Sequence, residues 1–379
     1  MQIGVPSETR PGETRVAATP ETVKKLAAAK HVVLVQAGAG AGASIPDADF
    51  RAAGAAIAAD AAEVHARAEL ILKVRAPQGA DLGLLRREHV LAGMLNRFDA
   101  EGLAAIARTG ATAFALEAAP RITRAQPLDV LSSQANLGGY KAVMVAANHF
   151  GRIFPMLMTA AGMVTPAKVF VIGAGVAGLQ AIATARRLGA NVFATDVRPE
   201  VKEQIESVGA KYVGIELTES AAAGGGYAKE LSADDRRRQA ELLASECAQS
   251  DVVITTALIG GVFAPKLISA DTVARMKPGS VIVDLGADGG GNCELTTPGQ
   301  DVEVGGVKII APLNLPSTVP YHASLLFSRN LTSFITAFTK DKQFVLDFGD
   351  DIQQGAVITH GGEVKNARTR DALSKEHSS

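Results

Sequence analysis

Apolar residues in this chain gather in short runs rich in valine and isoleucine, and stretches with helical spacing separate one run from the next. In the first third the runs fall at 2–5, 32–36, 69–74, 89–92 and 112–116, while 20–29, 47–58 and 101–108 read as helices, the first opened by Pro20. Strand alternating with helix predicts a parallel sheet covered on both faces. The pattern returns at 168–172, 191–195, 211–216, 251–255, 280–284 and 307–310, which makes a second, six-stranded doubly wound sheet. Between the two sets a helical pattern runs from Ser132 to Phe150 and is closed by Gly151. Beyond 317 an apolar helix is expected at 323–339 and strand-like pieces at 344–348 and 356–360, before a polar tail from Asn366.

One of these strands carries chemistry. Residues 168–172 are followed by Gly173, Gly175 and Gly178 in G-x-G-x-x-G spacing, and then by a helical stretch from Val176 to Leu188. Gly173 makes the turn, Gly175 lets the backbone approach a pyrophosphate, and Gly178 lets the helix pack closely on the strand. An anion then sits on the free amides at the helix start. The next strand ends at Asp196, where a carboxylate accepts hydrogen bonds from the adenosine ribose and repels the 2′-phosphate of NADP, so the pattern predicts NAD(H). Arg198 is the one neighbour that suits a 2′-phosphate instead. Glycine clusters also serve close packing, but here the preceding strand, the following helix and the terminal acid are all in place.

The candidate cofactor residues are Gly173, Gly175, Val176, Ala177 and Gly178 in the turn, and Asp196, Val197 and Arg198 at the second strand's end. Thr256, Ala257, Leu258, Leu285, Asp288 and Asn314 follow at later strand ends, the edge where doubly wound sheets bind ligands. The expected fold is α/β, two Rossmann-like doubly wound parallel-sheet domains joined by a long helix. Residues 1–131 with 318–379 would form a first domain lacking a nucleotide fingerprint, and 132–317 the NAD(H)-binding domain.

Composition narrows the class. A chain of 379 residues implies two domains, and 47% hydrophobic with 20% charged residues implies a well-packed protein. A net charge of −1 excludes a globally basic nucleic-acid binder, and Arg236 to Arg238 read as a solvated helix face. Cys247 and Cys293 have no metal-ligand spacing around them and read as reduced thiols, with no metal site expected. The first residues enter a strand pattern without the basic and apolar regions of a signal peptide. Residues 153–185, broken by Pro155, Pro166 and the glycine turn, read as a buried strand and helix and not as a membrane span. Membrane association would therefore pass through a partner.

Two polar loops remain. PRITRAQPLDVLSSQANLGGYKAV, from 120, brings Arg121, Gln126, Asp129 and Ser132 together before the long helix, at what should be a cleft mouth. On their own, Asp129 or Ser132 fit a helix cap and Arg121 a surface charge. ESAAAGGGYAKE, from 219, sets three glycines before Tyr227, which suits either a lid over a nucleotide or an ordinary surface loop.

With these segments assembled, the chain resembles the NAD(H)-binding component (domain I, or alpha subunit) of the proton-translocating nicotinamide nucleotide transhydrogenases. The resemblance rests on PSETRPGETRVAATPE, the loop from 120, GAGVAGLQAIATARRLGA with ATDVR, GGGYAKE, ITTALI, KPGSVIVDL, GGNC and NLPS, and covers nearly the whole chain. It implies direct hydride transfer from NAD(H) here to NADP(H) on a partner, with the protein supplying orientation and exclusion of water and no acid, base or nucleophile. It makes Arg121, Gln126 and Asp129 the nicotinamide-proximal loop, Ser132 the residue that orients the carboxamide, and Tyr227 the tip of a mobile loop.

The resemblance also implies a homodimer, an NADP(H)-binding subunit and a membrane-spanning proton-channel subunit. The protein would lie in the cytoplasm, peripheral on the inner face of the bacterial membrane, as in the split form of the enzyme. Alanine dehydrogenase is similar as well: Arg15 and Lys73 match its pyruvate-binding positions and Asp288 its catalytic aspartate. Its catalytic histidine should fall within 91–98, where LAGMLNRF has none and Met94 stands in its place. A non-catalytic NAD(H)-binding module is the remaining alternative.

Overall fold

The computed structural model describes residues 1–215, 232–258 and 263–365. The chain divides into Met1–Gln134 with the segment from Ser317 onward, and Ala135–Pro316. Each unit is an α/β fold built on one large, mostly parallel sheet, as the alternation of strand and helix predicts.

In the first unit the strands lie in the order Glu363–Val364, Val357–His360, Thr112–Ala115, Val90–Met94, Leu70–Arg75, Gln2–Val5, Val32–Gln36 and Ala56–Ala58. The first two are antiparallel additions, and the other six run parallel. Side chains alternate between two apolar layers, with Leu70, Leu72 and Val74 in one and Ile71 in the other. The helix Pro320–Ala337 covers one face through Phe327, Leu331, Phe334 and Ile335. Burying each such side chain contributes about 2 kcal/mol.

The second unit's sheet runs Lys211–Tyr212, Asn191–Thr195, Lys168–Ile172, Val252–Thr255, Val281–Asp284, Val307–Ile310 and Asp301–Val304. All pair in parallel except the last. Val169 and Val171 face one layer and Phe170 and Ile172 the other, where Cys247 and Cys293 are also buried.

Several expectations fail for local reasons. The helix expected at 47–58 stops at Ala52, because Gly54 turns left-handed (φ +101°) and releases Ala56–Ala58 to pair with Leu34–Gln36. A further helix, Ala61–Arg67, is capped by Asp60 and has no counterpart in the apolar pattern. Residues 153–185 do not form only a buried strand and helix: Leu157–Thr159 and Gly162–Val164 make an exposed antiparallel hairpin between Pro155 and Pro166. Met158 is 71% exposed there. The edge strand Asp301–Val304 also escapes the pattern; Gly305 and Gly306, both with positive φ, turn it back on Val307–Ile310.

The long helix spans Val130–His149. It therefore begins two residues earlier than the pattern suggests.

Candidate functional site

The second unit's strand order reverses at Lys168–Ile172. Connections from this strand lead outward to Asn191–Thr195 and Lys211–Tyr212, and the chain then returns to Val252–Thr255 on its other side. The loops that leave the two central strands, 173–175 and 256–258, diverge there, which is where a doubly wound sheet opens a crevice for a ligand.

Each fingerprint glycine has its own geometry. Gly173 sits at φ +92°, a conformation that L side chains rarely adopt, and its amide donates to the Thr195 carbonyl at 2.9 Å. Gly178 faces the Gly173 carbonyl so closely that a Cβ there would overlap it. Gly139, on the long helix, is pressed in the same way against the Ala177 carbonyl. Gly175 is the opposite case: a Cβ built on it meets nothing within 4 Å. It opens the helix Val176–Arg187 without a side-chain cap, so the first amides are left for an outside acceptor, with Val176 exposed beside them. Open space over free amides fits a pyrophosphate.

At the end of the neighbouring strand Asp196 already accepts four hydrogen bonds. Its Oδ2 accepts from the Ala174 amide and from Arg198 Nη2, both at 2.8 Å. Its Oδ1 accepts from the Arg198 amide at 3.0 Å and Nε at 2.9 Å. Burial pushes the Asp196 carboxyl up, but the Arg198 guanidinium and the two amides outweigh it and hold the carboxyl below its usual range. Val197 is half-buried between the two charged residues.

Thr256 joins the two central strands, since its Oγ1 donates to the Gly173 carbonyl at 2.9 Å. Removing that bond with Thr256→Val should loosen the glycine turn and weaken NADH binding about fivefold, or about 1 kcal/mol. A fluorescence titration checks this, and unchanged affinity would mean that the turn holds its shape without it.

Behind Thr256 stand two residues to which the sequence pattern assigns no role beyond lying at strand ends. Asn292, fully buried, accepts from the Ala257 amide at 3.1 Å and donates to the Ala257 and Pro265 carbonyls at 2.9 Å. Asp284, also fully buried, accepts from Thr255 Oγ1, Thr296 Oγ1 and the amides of Gly286 and Cys293. The available signal is an acid ending a β-branched run and an asparagine inside GGNC. Both hold the loops that carry Ala257, Leu258 and Leu285. Leu258 is 36% exposed, Asp288 lies exposed in the short turn Ala287–Gly289, and Asn314 takes a left-handed φ of +48°.

The other candidates lie in the first unit. Asp129 precedes the long helix, and its carboxylate accepts from the Ser132 amide at 2.9 Å and Ser132 Oγ at 2.6 Å, which is the capping arrangement. Arg121 and Gln126 are exposed, while Ala125 and Leu128 between and after them are buried and Asn330 Nδ2 donates to the Pro127 carbonyl at 2.8 Å. The loop is thus pinned by its apolar residues and by the Arg124–Asp350 ion pair at 2.6 Å, and it displays Arg121 and Gln126. Tyr227 and its glycines lie outside the described residues.

Where the first unit's own strand order reverses, between Gln2–Val5 and Leu70–Arg75, charged side chains fill the strand ends. Arg15 Nε and Nη2 donate to Glu13 at 2.7 and 2.6 Å, and Nη1 to Gln134 at 2.8 Å. Lys73 Nζ donates to Asp81 at 3.0 Å and to the Ser7 carbonyl at 3.1 Å. Burial raises the Glu8 carboxyl against the pull of Lys73 and the Val74 and Arg75 amides. Among the described residues no group of three or more His, Cys, Asp or Glu side chains is placed to hold a metal ion.

Comparison with known proteins agrees with this architecture. Residues 4–138 match the alanine dehydrogenase/PNT N-terminal domain, and residues 142–367 the alanine dehydrogenase/PNT C-terminal domain. The chain is 48% identical over 377 residues to an NAD(P) transhydrogenase subunit alpha polypeptide of Rhodospirillum rubrum, covering 96% of this chain and 97% of that one. Its identity to alanine dehydrogenase of Mycobacterium tuberculosis is 36% over 328 residues, covering 84% and 82%. Among solved structures, a transhydrogenase from Sinorhizobium meliloti superimposes with a TM-score of 0.88 at 45% identity, over 96% of this chain and 100% of that one. An L-alanine dehydrogenase superimposes with a TM-score of 0.83 at 25% identity, over 99% of each chain.

Proposed function

The chain belongs to the alanine dehydrogenase/PNT family, and from that premise we propose that it is the NAD(H)-binding subunit of a proton-translocating NAD(P) transhydrogenase, active only with its partner subunits. The observation that carries the reading is the dinucleotide crevice of the second unit: open space over Gly175, uncapped amides beyond it and a carboxylate at the next strand's end. Identity of 48% to the Rhodospirillum rubrum subunit alpha polypeptide, against 36% to the alanine dehydrogenase, supports the same choice.

In this reading Gly173, Gly175, Val176, Ala177 and Gly178 seat the pyrophosphate, and Asp196, Val197 and Arg198 the adenosine ribose. Thr256, Ala257, Leu258, Leu285, Asp288 and Asn314 complete the walls. When bound, the nicotinamide supplies the hydride that passes to or from NADP(H) on a second subunit. Arg121, Gln126, Asp129 and Ser132 orient that end, and Tyr227 closes over it. None has to move a proton, so polar neutral groups with one Arg and one Asp suffice. A second copy of the chain, an NADP(H)-binding subunit and a membrane-spanning proton channel complete the assembly. Among the described residues no helix is long and apolar enough to cross a membrane, and we assign membrane attachment on the cytoplasmic face to the partners.

Amino-acid oxidation is disfavoured because 91–98 offer no histidine as acid or base.

The purified protein should bind NADH and leave NADPH largely unbound in a fluorescence titration. It should pass hydride from NADH to an NADP⁺ analogue only once the NADP(H)-binding subunit is added. Consumption of NADH with pyruvate and ammonia by the protein alone would establish the dehydrogenase instead.

A further inference from the structure

Resting on the NAD(H) reading, we infer that Arg198 is a 2′-phosphate ligand held out of use by Asp196, so that NADP(H) is refused by the pair and not by the carboxylate alone. Four observations converge on it. Arg198 stands two residues past the strand end, where a guanidinium in this fold can meet the 2′-phosphate of NADP(H). Its guanidinium is turned back onto Asp196 in a two-pronged pair, Nε to Oδ1 at 2.9 Å and Nη2 to Oδ2 at 2.8 Å. The pair is sheltered, with the two side chains only 14% and 7% exposed. Asp196 itself cannot swing aside, because the amides of Ala174 and Arg198 grip both of its oxygens.

These contacts fix what each cofactor meets. A ribose hydroxyl carries no charge and can share a lone pair of Asp196 while the guanidinium stays in place. A 2′-phosphate that takes the Nε–Nη2 edge of Arg198 must draw it from Asp196, which strips a sheltered carboxylate of its partner and sets two anions side by side. Asp196 is paired with Arg198, so simple repulsion by a lone carboxylate is not the barrier. The barrier is the broken pair. Removing the Asp196 charge should create NADP(H) affinity and weaken NADH, and one consequence follows that a carboxylate acting alone does not produce: the created affinity should vanish when Arg198 is also removed.

The test is equilibrium binding of NADH and NADPH, by calorimetry or fluorescence, to the full chain and to Asp196→Ser, Arg198→Ala and the double variant. Asp196→Ser should bind NADPH at least about tenfold more tightly than the wild type, with NADH weakened by a similar factor. The double variant should lose the NADPH gain. Arg198→Ala alone should still refuse NADPH, because it leaves an unpaired carboxylate and no guanidinium to meet the phosphate. Asp196→Asn, which keeps an oxygen for the Ala174 amide, gives the same readout should the serine variant fail to fold. No NADPH gain in a folded Asp196 variant, or a gain that survives loss of Arg198, overturns the inference while wild-type NADH binding leaves the function intact. Failure of the wild type to bind NADH would sink the NAD(H) reading and this inference with it.

Discussion

Gly178→Val should yield a protein that melts well below the wild type and has lost NADH binding by more than about 100-fold. Any side chain at 178 would overlap the Gly173 carbonyl, which is backbone and cannot rotate away. The helix Val176–Arg187 would have to lift from the strand Lys168–Ile172, and overpacking of that kind costs about 3 kcal/mol or more. Because Thr256 Oγ1 bonds the same carbonyl, the displacement spreads to the second central loop. Gly175→Val is the matched contrast. Its Cβ enters open space and its φ of −75° suits any residue, so the fold should keep its melting temperature while NADH binding falls. Calorimetric melting and NADH titration separate the two. Equal melting of Gly178→Val and the wild type would show that helix and strand do not approach as described, and normal NADH binding by Gly175→Val would remove the pyrophosphate from that opening.

That contrast also shows how far the sequence is legible. Strand, glycine turn, helix and terminal acid are local features, and the periodicity of 168–198 carries all of them; the parallel sheet follows from alternation alone. The failures lie where turn geometry decides the path of a few residues. Gly54 ends a helix that apolar spacing would continue, and paired glycines at 305 and 306 add an antiparallel edge. The exposed hairpin at 157–164 reads as core because its residues are apolar, and only the flanking prolines hint that it leaves the core. In the candidate site, Asp196 is legible but its commitment to Arg198 is not, since a two-residue separation does not say whether side chains meet or diverge. Asn292 and Asp284 act through backbone amides contributed by distant segments, and such partners are fixed only by the tertiary fold.

Gln126→Ala and Asp129→Ala should each lower hydride transfer in the reconstituted enzyme by about 100-fold while NADH affinity changes by less than about threefold. The two substitutions act differently. Gln126 is exposed on a loop fixed by Ala125, Leu128 and the Pro127 carbonyl, so its loss leaves the fold alone and removes only what the side chain reaches. Asp129 also caps the long helix through Ser132, and its loss should lower stability by about 1 kcal/mol besides. Ser132→Ala keeps the capping bond from the amide of residue 132 to Asp129 and deletes only the Oγ bond, so it should cost less stability than Asp129→Ala. A loss of transfer for Gln126→Ala with normal NADH binding can arise only if the loop positions the reacting end of the cofactor or its partner. Equal losses of transfer and affinity would make the loop a binding element. No loss at all would return Arg121, Gln126 and Asp129 to the surface-and-cap role that their residue types first suggest.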